Sequence, residues 1–347
     1  MELNYFGPGA CTTFPIKDKT GREVLVIVLK YSFRIGMRGE VELDEDTPSE
    51  PLSVDEHYGD PGKTSIRKPS DLSEEKPGTD VLLVGHAYPS RKHPRATSVD
   101  VSLRMGPIAK TLRVHGLRVW QEKAFGGITP GPSRPLIDPI PLLWELAWGG
   151  LDLSDPKHPL GEPGNTLGRG VRHDPEALVD QPAALIEYPD APIGSGKNVP
   201  AGFGALCRHW QPRAAFAGTF DETWQQTKMP LLPDDFNPRF HVTAPMDQWS
   251  PVPLRGDEPV EIIGATPDEI LRFQLPRMAP GFSAYVLGQR KELRTHLDTV
   301  WIDADARRVE LTYRAALAVP KKYEMIDQVL VFEKDVLSRS SSGDPDE

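Results

Sequence analysis

Two pairs of adjacent carboxylates, Asp234-Asp235 and Asp257-Glu258, are the first residues that could act on a substrate. Neighbouring side chains of an extended segment point to opposite faces. Neither pair alone sets an acid and a base about 5–9 Å apart across one glycosidic bond, so turn and capping roles beside Pro and Gly are preferred. Cys207 and His209 lie two apart and would share a face of an extended segment, the spacing of a thiol–imidazole pair. A lone Cys is more often a small buried hydrophobe. The nine histidines are scattered, with no H-E-x-x-H. His86 and His93 flank a loop and His57 stands in an acidic run, so no metal site is expected. Ile193-Gly194-Ser195-Gly196-Lys197-Asn198 has the look of a phosphate loop, but Ala191 replaces its first Gly and Asn198 its Ser or Thr. Gly168-Arg169-Gly170 follows no convincing strand and lacks a third Gly, so dinucleotide binding is not supported. These patterns assign no catalytic residue, no cofactor and no metal.

The elements that would position a site are bounded by composition. The chain has 347 residues, enough to bury a core without disulfide or metal staples. Forty Lys and Arg against fifty Asp and Glu leave a net charge of −10, which argues against a nucleic-acid binder. The longest apolar run, Val24 to Leu29, is six residues, far short of the roughly 20 needed to span a bilayer. The first sixteen residues hold no Lys or Arg, and no secretory signal is expected. Two cysteines, Cys11 and Cys207, with no C-x-x-C suit a reducing compartment, and a cytoplasmic location is expected. Of 36 prolines, 24 lie between Pro130 and Pro280, among Trp144, Trp148, Trp210, Trp224 and Trp249. A disordered segment would lack those aromatics, so this stretch is read as ordered but irregular, with no long helix.

Strands are predicted at both ends. Arg22 to Phe33 reads as a strand buried on both faces, and Asp80 to Tyr88 repeats that character. Thr97 to Arg104 alternates, with Val99, Val101 and Leu103 on one face, and pairs with Ile108 to Val119 across Met105-Gly106-Pro107. Thr299 to Asp303 with Arg307 to Tyr313 form a second hairpin, and Gln328 to Glu333 a last strand. Between them, Glu40 to Asp60 carries nine carboxylates and no Lys or Arg, read as a solvated hairpin and loop. Helix signals are few. Pro141 to Trp148 predicts two turns stopped by Gly149-Gly150, and Phe220 to Lys228 a short helix begun at Thr219 or Asp221. Thr266-Pro267-Asp268-Glu269 has the residues of a helix start. The expected fold is mainly β, antiparallel and sandwich-like, with long ordered Pro/Gly-rich loops. One unit is expected over 1–334, with a β-rich part at 1–125, an irregular part at 126–260 and a β part at 261–334. A disordered tail is expected at 335–347.

The most distinctive residues form a series of phrases. They run Pro200-Ala201-Gly202-Phe203-Gly204, Trp210-Gln211-Pro212-Arg213 and Ala217-Gly218-Thr219-Phe220-Asp221 with Trp224. Pro230 to Phe236, containing Pro233 and Asp235, follows with Arg239, and then Ala244-Pro245-Met246-Asp247-Gln248. The series resembles the family catalogued as domain of unknown function 2169, which is found beside type VI secretion genes. Val28 to Phe33, Asp55 to Pro61, Lys76 to Val81 and Ala147 to Gly150 extend the resemblance over nearly all of residues 1–320. Thr166 stands where the family usually has Pro, and Trp148 where it has Phe. The chain carries none of the pentapeptide repeats fused to some members.

The resemblance implies a non-catalytic chaperone or adaptor that binds a cognate toxic effector and helps load it onto the spike of the secretion tube, with a spike protein as further partner. It implies no catalytic residues. Phe203, Trp210, Arg213, Thr219, Asp221, Trp224, Pro233, Asp235, Phe236, Arg239, Pro245, Asp247 and Gln248 are read as its framework, and second as an interface. Exposed Trp, Tyr and Arg would anchor a partner. Specificity is expected in the acidic run or in the loops Ser90 to Arg95 and Asp190 to Val199. Two rival expectations are a hydrolase using Asp221, Asp235 and Asp247, acting on a carbohydrate, and a structural part of the secretion apparatus.

Overall fold

The computed structural model describes residues 1–124, 126–319 and 322–333. The fold is mainly β, built of mostly antiparallel sheets, and Glu222–Thr227 is the one α-helix among the described residues. The largest sheet runs Trp249–Ser250, Thr79–Val84, His296–Asp303, Arg308–Ala318, Glu23–Ile35, Ala10–Lys17. Thr79–Val84 and His296–Asp303 are parallel, and the other pairs of this sheet are antiparallel. Val41–Leu43 takes the edge of Glu23–Ile35 beyond Ala10–Lys17, so residues from near both ends of the chain share one sheet.

The pleat decides what each face buries. Leu25, Ile27, Leu29, Tyr31, Phe33 and Ile35 enter the main core, while Val24, Val26 and Val28 face the other way against Phe14 and Ile16. A five-stranded sheet closes the main core with Val101, Leu103, Leu112, Val114, Ile262 and Phe273. A four-stranded sheet adds Phe282, Ala284, Val329 and Val331. The hairpin Ser98–Met105 with Ile108–His115 forms as its alternation predicts, Met105 pairing Ile108 around Gly106.

Beyond Val28 the second face of the large sheet turns polar. Lys30 pairs with Asp71 at 2.8 Å, Lys68 with Glu310 at 2.7 Å and Arg314 with Asp298 at 2.8 Å, all under little solvent. Charges this deep persist only when paired and hydrogen-bonded. Their partners Lys68 and Asp71 come from the segment that follows the acidic run.

Three expectations are corrected. Pro141 to Trp148 makes a single 3₁₀ turn, Trp144–Leu146, rather than two helical turns. Tertiary bonds override the local preference: Asn165 Nδ2 donates to the carbonyls of Trp144 and Trp148, and Trp148–Gly149 pairs with Arg169–Gly170. Thr266 to Glu269 starts no helix but closes the hairpin between Pro259–Ile263 and Ile270–Gln274. Glu269 lies at φ 65°, outside helical space, and its carboxylate takes the Arg91 N–H at 3.0 Å. The acidic run is not wholly solvated. Asp44 is 2% exposed, and Arg34 foremost, then Thr47 and Arg308 (2.7 Å), hold its carboxyl down at about 2. The expected tail, residues 335–347, lies outside the described residues.

Candidate functional site

One group of signature residues lies around strand Thr79–Val84. Gln248, wholly buried, donates from Nε2 to Val81 O (2.8 Å) and Phe203 O (3.0 Å), so one amide joins the strand to the Phe203 segment. Asp80 Oδ2 accepts from Thr243 N (2.7 Å), Thr243 Oγ1 (2.8 Å) and Ala244 N (3.2 Å), and pairs with Lys76 at 2.7 Å. Trp210 is buried edge-on to Trp144 and donates from Nε1 to Thr166 Oγ1 at 2.9 Å. Thr166 is thus the acceptor for this buried indole. Among the described residues Arg213 forms no ion pair. It donates to Phe240 O (2.9 Å) and Leu206 O (2.6 Å), and burial pulls its pKa down to about 10.

The next phrases form a local knot. Asp221 caps the helix Glu222–Thr227 through Trp224 N at 2.8 Å, and Trp224 Nε1 reaches Leu231 O. Asp235 accepts from Thr219 N (2.9 Å) and Thr219 Oγ1 (2.8 Å). Gly218 (φ 84°) must be glycine there, because a Cβ would sit 2.8 Å from Asp235 Oδ1 and 2.9 Å from Pro233. Phe236 stacks edge-on with Phe240, while the Arg239 guanidinium lies 5.4 Å from the Trp249 ring. Pro245 is buried, and its carbonyl accepts the Gln248 N–H.

Asp247 belongs to a different cluster. It accepts from Lys110 Nζ at 2.9 Å and from the Tyr188 hydroxyl at 2.9 Å, and Lys110 also donates to Gly202 O. Desolvation pulls Lys110 down to about 8 although Asp247 opposes it. The three carboxylates of the hydrolase expectation are therefore divided, Asp221 and Asp235 binding backbone in one knot and Asp247 holding a lysine elsewhere. Cys207 is buried, its thiol pushed up to about 12 by desolvation, while His209 turns to Thr166. Among the described residues no group of three His, Cys, Asp or Glu could hold a metal. The tryptophans are not exposed anchors: Trp120, Trp144, Trp210 and Trp301 are buried and the other three half-buried.

Three concavities among the described residues hold about 320 Å³ or more. A cleft of about 320 Å³ between His57 and Asp305 holds His86, whose Nδ1 meets Asp305 Oδ2 at 2.7 Å, and Arg67, which bridges Glu56 and Asp303. A second, of about 390 Å³, is mainly apolar and lies between the Tyr88–Pro94 loop and Leu136–Pro139, with Pro267. Its loop is fixed. Tyr88 N–H donates to Gly264 O, Tyr88 OH to Asp305, Ser90 Oγ to Glu269, and Leu136 N–H to Ala96 O. Ile137 stands 75% exposed on its wall. The third, about 400 Å³, runs over Gly150, Gly168 and Gly170 between Leu151, Leu178 and Pro182. Sequence reading placed no site at Lys110, Arg169 or Ile137. Only Lys110 left a signal, as the one charge in the inward row Ile108, Lys110, Leu112, Val114.

The chain is a mainly β protein in which Gln248 fastens the Phe203 segment to strand Thr79–Val84. The chain belongs to the family described as "Uncharacterized protein conserved in bacteria (DUF2169)", whose model matches residues 20–314. No curated protein and no solved structure matches it.

Proposed function

We propose that the protein is a type VI secretion effector chaperone or adaptor, acting in the bacterial cytoplasm without catalysis. It binds a cognate toxic effector and presents it to the spike. The observation that carries this reading is the apolar groove of Tyr88, Pro89, Pro94, Ile137, Pro139 and Pro267, which falls on the Ser90–Arg95 loop expected to set specificity. Four of those residues are prolines. Prolines and the hydrogen bonds on either side keep the loop ordered before a partner arrives, so binding loses little entropy. An apolar concavity with a protruding isoleucine is the kind of surface that a protein partner covers. No described helix is long and apolar enough to cross a membrane.

Co-expression with a toxin encoded beside the gene, followed by size-exclusion chromatography with light scattering, tests the reading. A stable complex is expected, with the toxin insoluble or degraded when expressed alone, and Ile137→Asp should weaken the complex without changing the fold. A toxin that is soluble alone and never co-elutes overturns it for that pair.

A further inference from the structure

We propose that the groove over Arg169 docks an extended, acidic segment of a partner protein, whose carboxylate pairs with Arg169 and Arg172. The site goes beyond the adaptor reading and stands whether or not an effector fills the Tyr88 groove.

Among the described residues the ionisable side chains that line this groove are Arg169 and Arg172, with no acid in the lining. Arg169 is partly buried, and among the described residues its guanidinium has neither a hydrogen bond nor a carboxylate within salt-bridge range. Its nearest negative influence is Glu145, which is already occupied by Ser65 N at 2.8 Å and by the Ser65 hydroxyl. Arg172 is only loosely held. Asp152 lies 3.9 Å away, and its two oxygens accept from Ser154 N and His173 N, both at 2.9 Å. A cation drawn out of water without a partner is a cost that an incoming carboxylate removes, and guanidinium matches carboxylate through two parallel hydrogen bonds.

The walls specify the rest of the ligand. Leu151, Val171, Leu178 and Pro182 line the groove, and Leu153 and Leu160 stand exposed at 59% and 39% close by in the chain. An acid flanked by apolar residues satisfies both features. Nucleic acid does not, because it offers no aliphatic flanks to cover Leu151, Val171 and Pro182. The floor is preformed. A Cβ on Gly170 would strike the Trp148 ring at 2.2 Å, and one on Gly168 would lie 2.6 Å from Asn165 Nδ2, so backbone and rings pack in contact beneath the groove.

The test is fluorescence anisotropy of the full chain with a labelled decapeptide alternating Glu and Leu, beside its Gln-for-Glu counterpart and a labelled single-stranded oligonucleotide. The Glu peptide should bind saturably, about tenfold tighter than the Gln peptide, and weaken with added salt. Arg169→Gln should lose about tenfold, and Arg169→Lys should recover part of that loss. Gln181→Glu, an exposed lining position, places a negative charge in the groove and should lose several-fold with an unchanged melting temperature. It decides the matter if Arg169→Gln fails to fold. No saturable binding of the Glu peptide, equal binding by wild type and Gln181→Glu, or preferential binding of the oligonucleotide each overturns the proposal.

Discussion

Lys110 donates to Asp247 across 2.9 Å from within a row of inward-facing apolar residues. The lysine is almost wholly buried and its pKa falls from 10.5 to about 8, so the native state releases its proton before the unfolded chain does. Between those two values the unfolded state binds more protons, and stability rises with pH. At about 1.4 kcal/mol per unit, the gain approaches ~3 kcal/mol. Buried tyrosines, Tyr188 among them, have raised pKa values and pull the other way above pH ~10. The difference in unfolding free energy between wild type and Lys110→Met should therefore climb from pH 8 towards pH 10. Urea titrations at four pH values would show it. A flat difference would mean that the lysine keeps its ordinary pKa in the fold.

Asp80 has no solvent exposure and gathers Thr243, Ala244 and Lys76 on one oxygen. Asp80→Asn leaves Lys76 buried without its counter-charge, a change that typically costs about 3–5 kcal/mol. Adding Lys76→Met should restore a good part of that loss, since it removes the stranded cation. Equilibrium unfolding of the single and double variants separates the two terms. Additive losses would show that the pair is not coupled.

These pairs mark where sequence reading worked and where it stopped. Glu23–Ile35 was legible because seven of its thirteen residues are β-branched or aromatic, and the hairpin of Ser98–Met105 with Ile108–His115 followed from alternation. Thr266 to Glu269 misled because a capping box and a short hairpin turn use the same residue types. Which forms depends on strands on either side and on Arg91, distant in sequence. Lys30 and Lys110 could have been flagged as charges inside apolar rows. Their partners Asp71 and Asp247 could not, being 41 and 137 positions away. The grooves were invisible for a similar reason, since each is walled by segments with no local relation. Gly149-Gly150 read as a helix stop and Gly168-Arg169-Gly170 as an incomplete dinucleotide motif, and only the fold shows that these glycines let Trp148 and Asn165 pack.

Glu187 should make the protein acid-labile in a defined window. Burial alone would raise its pKa. His115 Nε2 and Arg118 Nη2, each at 2.9 Å, with the Ile193 N–H, more than offset that and bring it down to about 2. A lowered carboxyl stabilises the fold above its unfolded pKa of about 4.3, and that contribution is lost as pH falls towards 2. Glu187→Gln should be less stable at neutral pH and show a shallower loss between pH 4.5 and 2. Parallel slopes for variant and wild type would remove Glu187 from the account of acid unfolding.

Thr166 offers a test of how this chain satisfies the buried Trp210 indole. The Trp210 indole N–H is buried and donates to Thr166 Oγ1 at 2.9 Å. Thr166→Val keeps the shape of the side chain and removes the acceptor, which should cost about 1–3 kcal/mol for a stranded donor. Thr166→Ser keeps the hydroxyl and should cost less. Thr166→Pro also removes the acceptor and fixes the backbone, so a fold that relies on this bond should lose as much as with Val. Chemical denaturation followed by tryptophan emission measures all three. If Pro proves as stable as Thr, the indole has found another acceptor and the hydroxyl is dispensable.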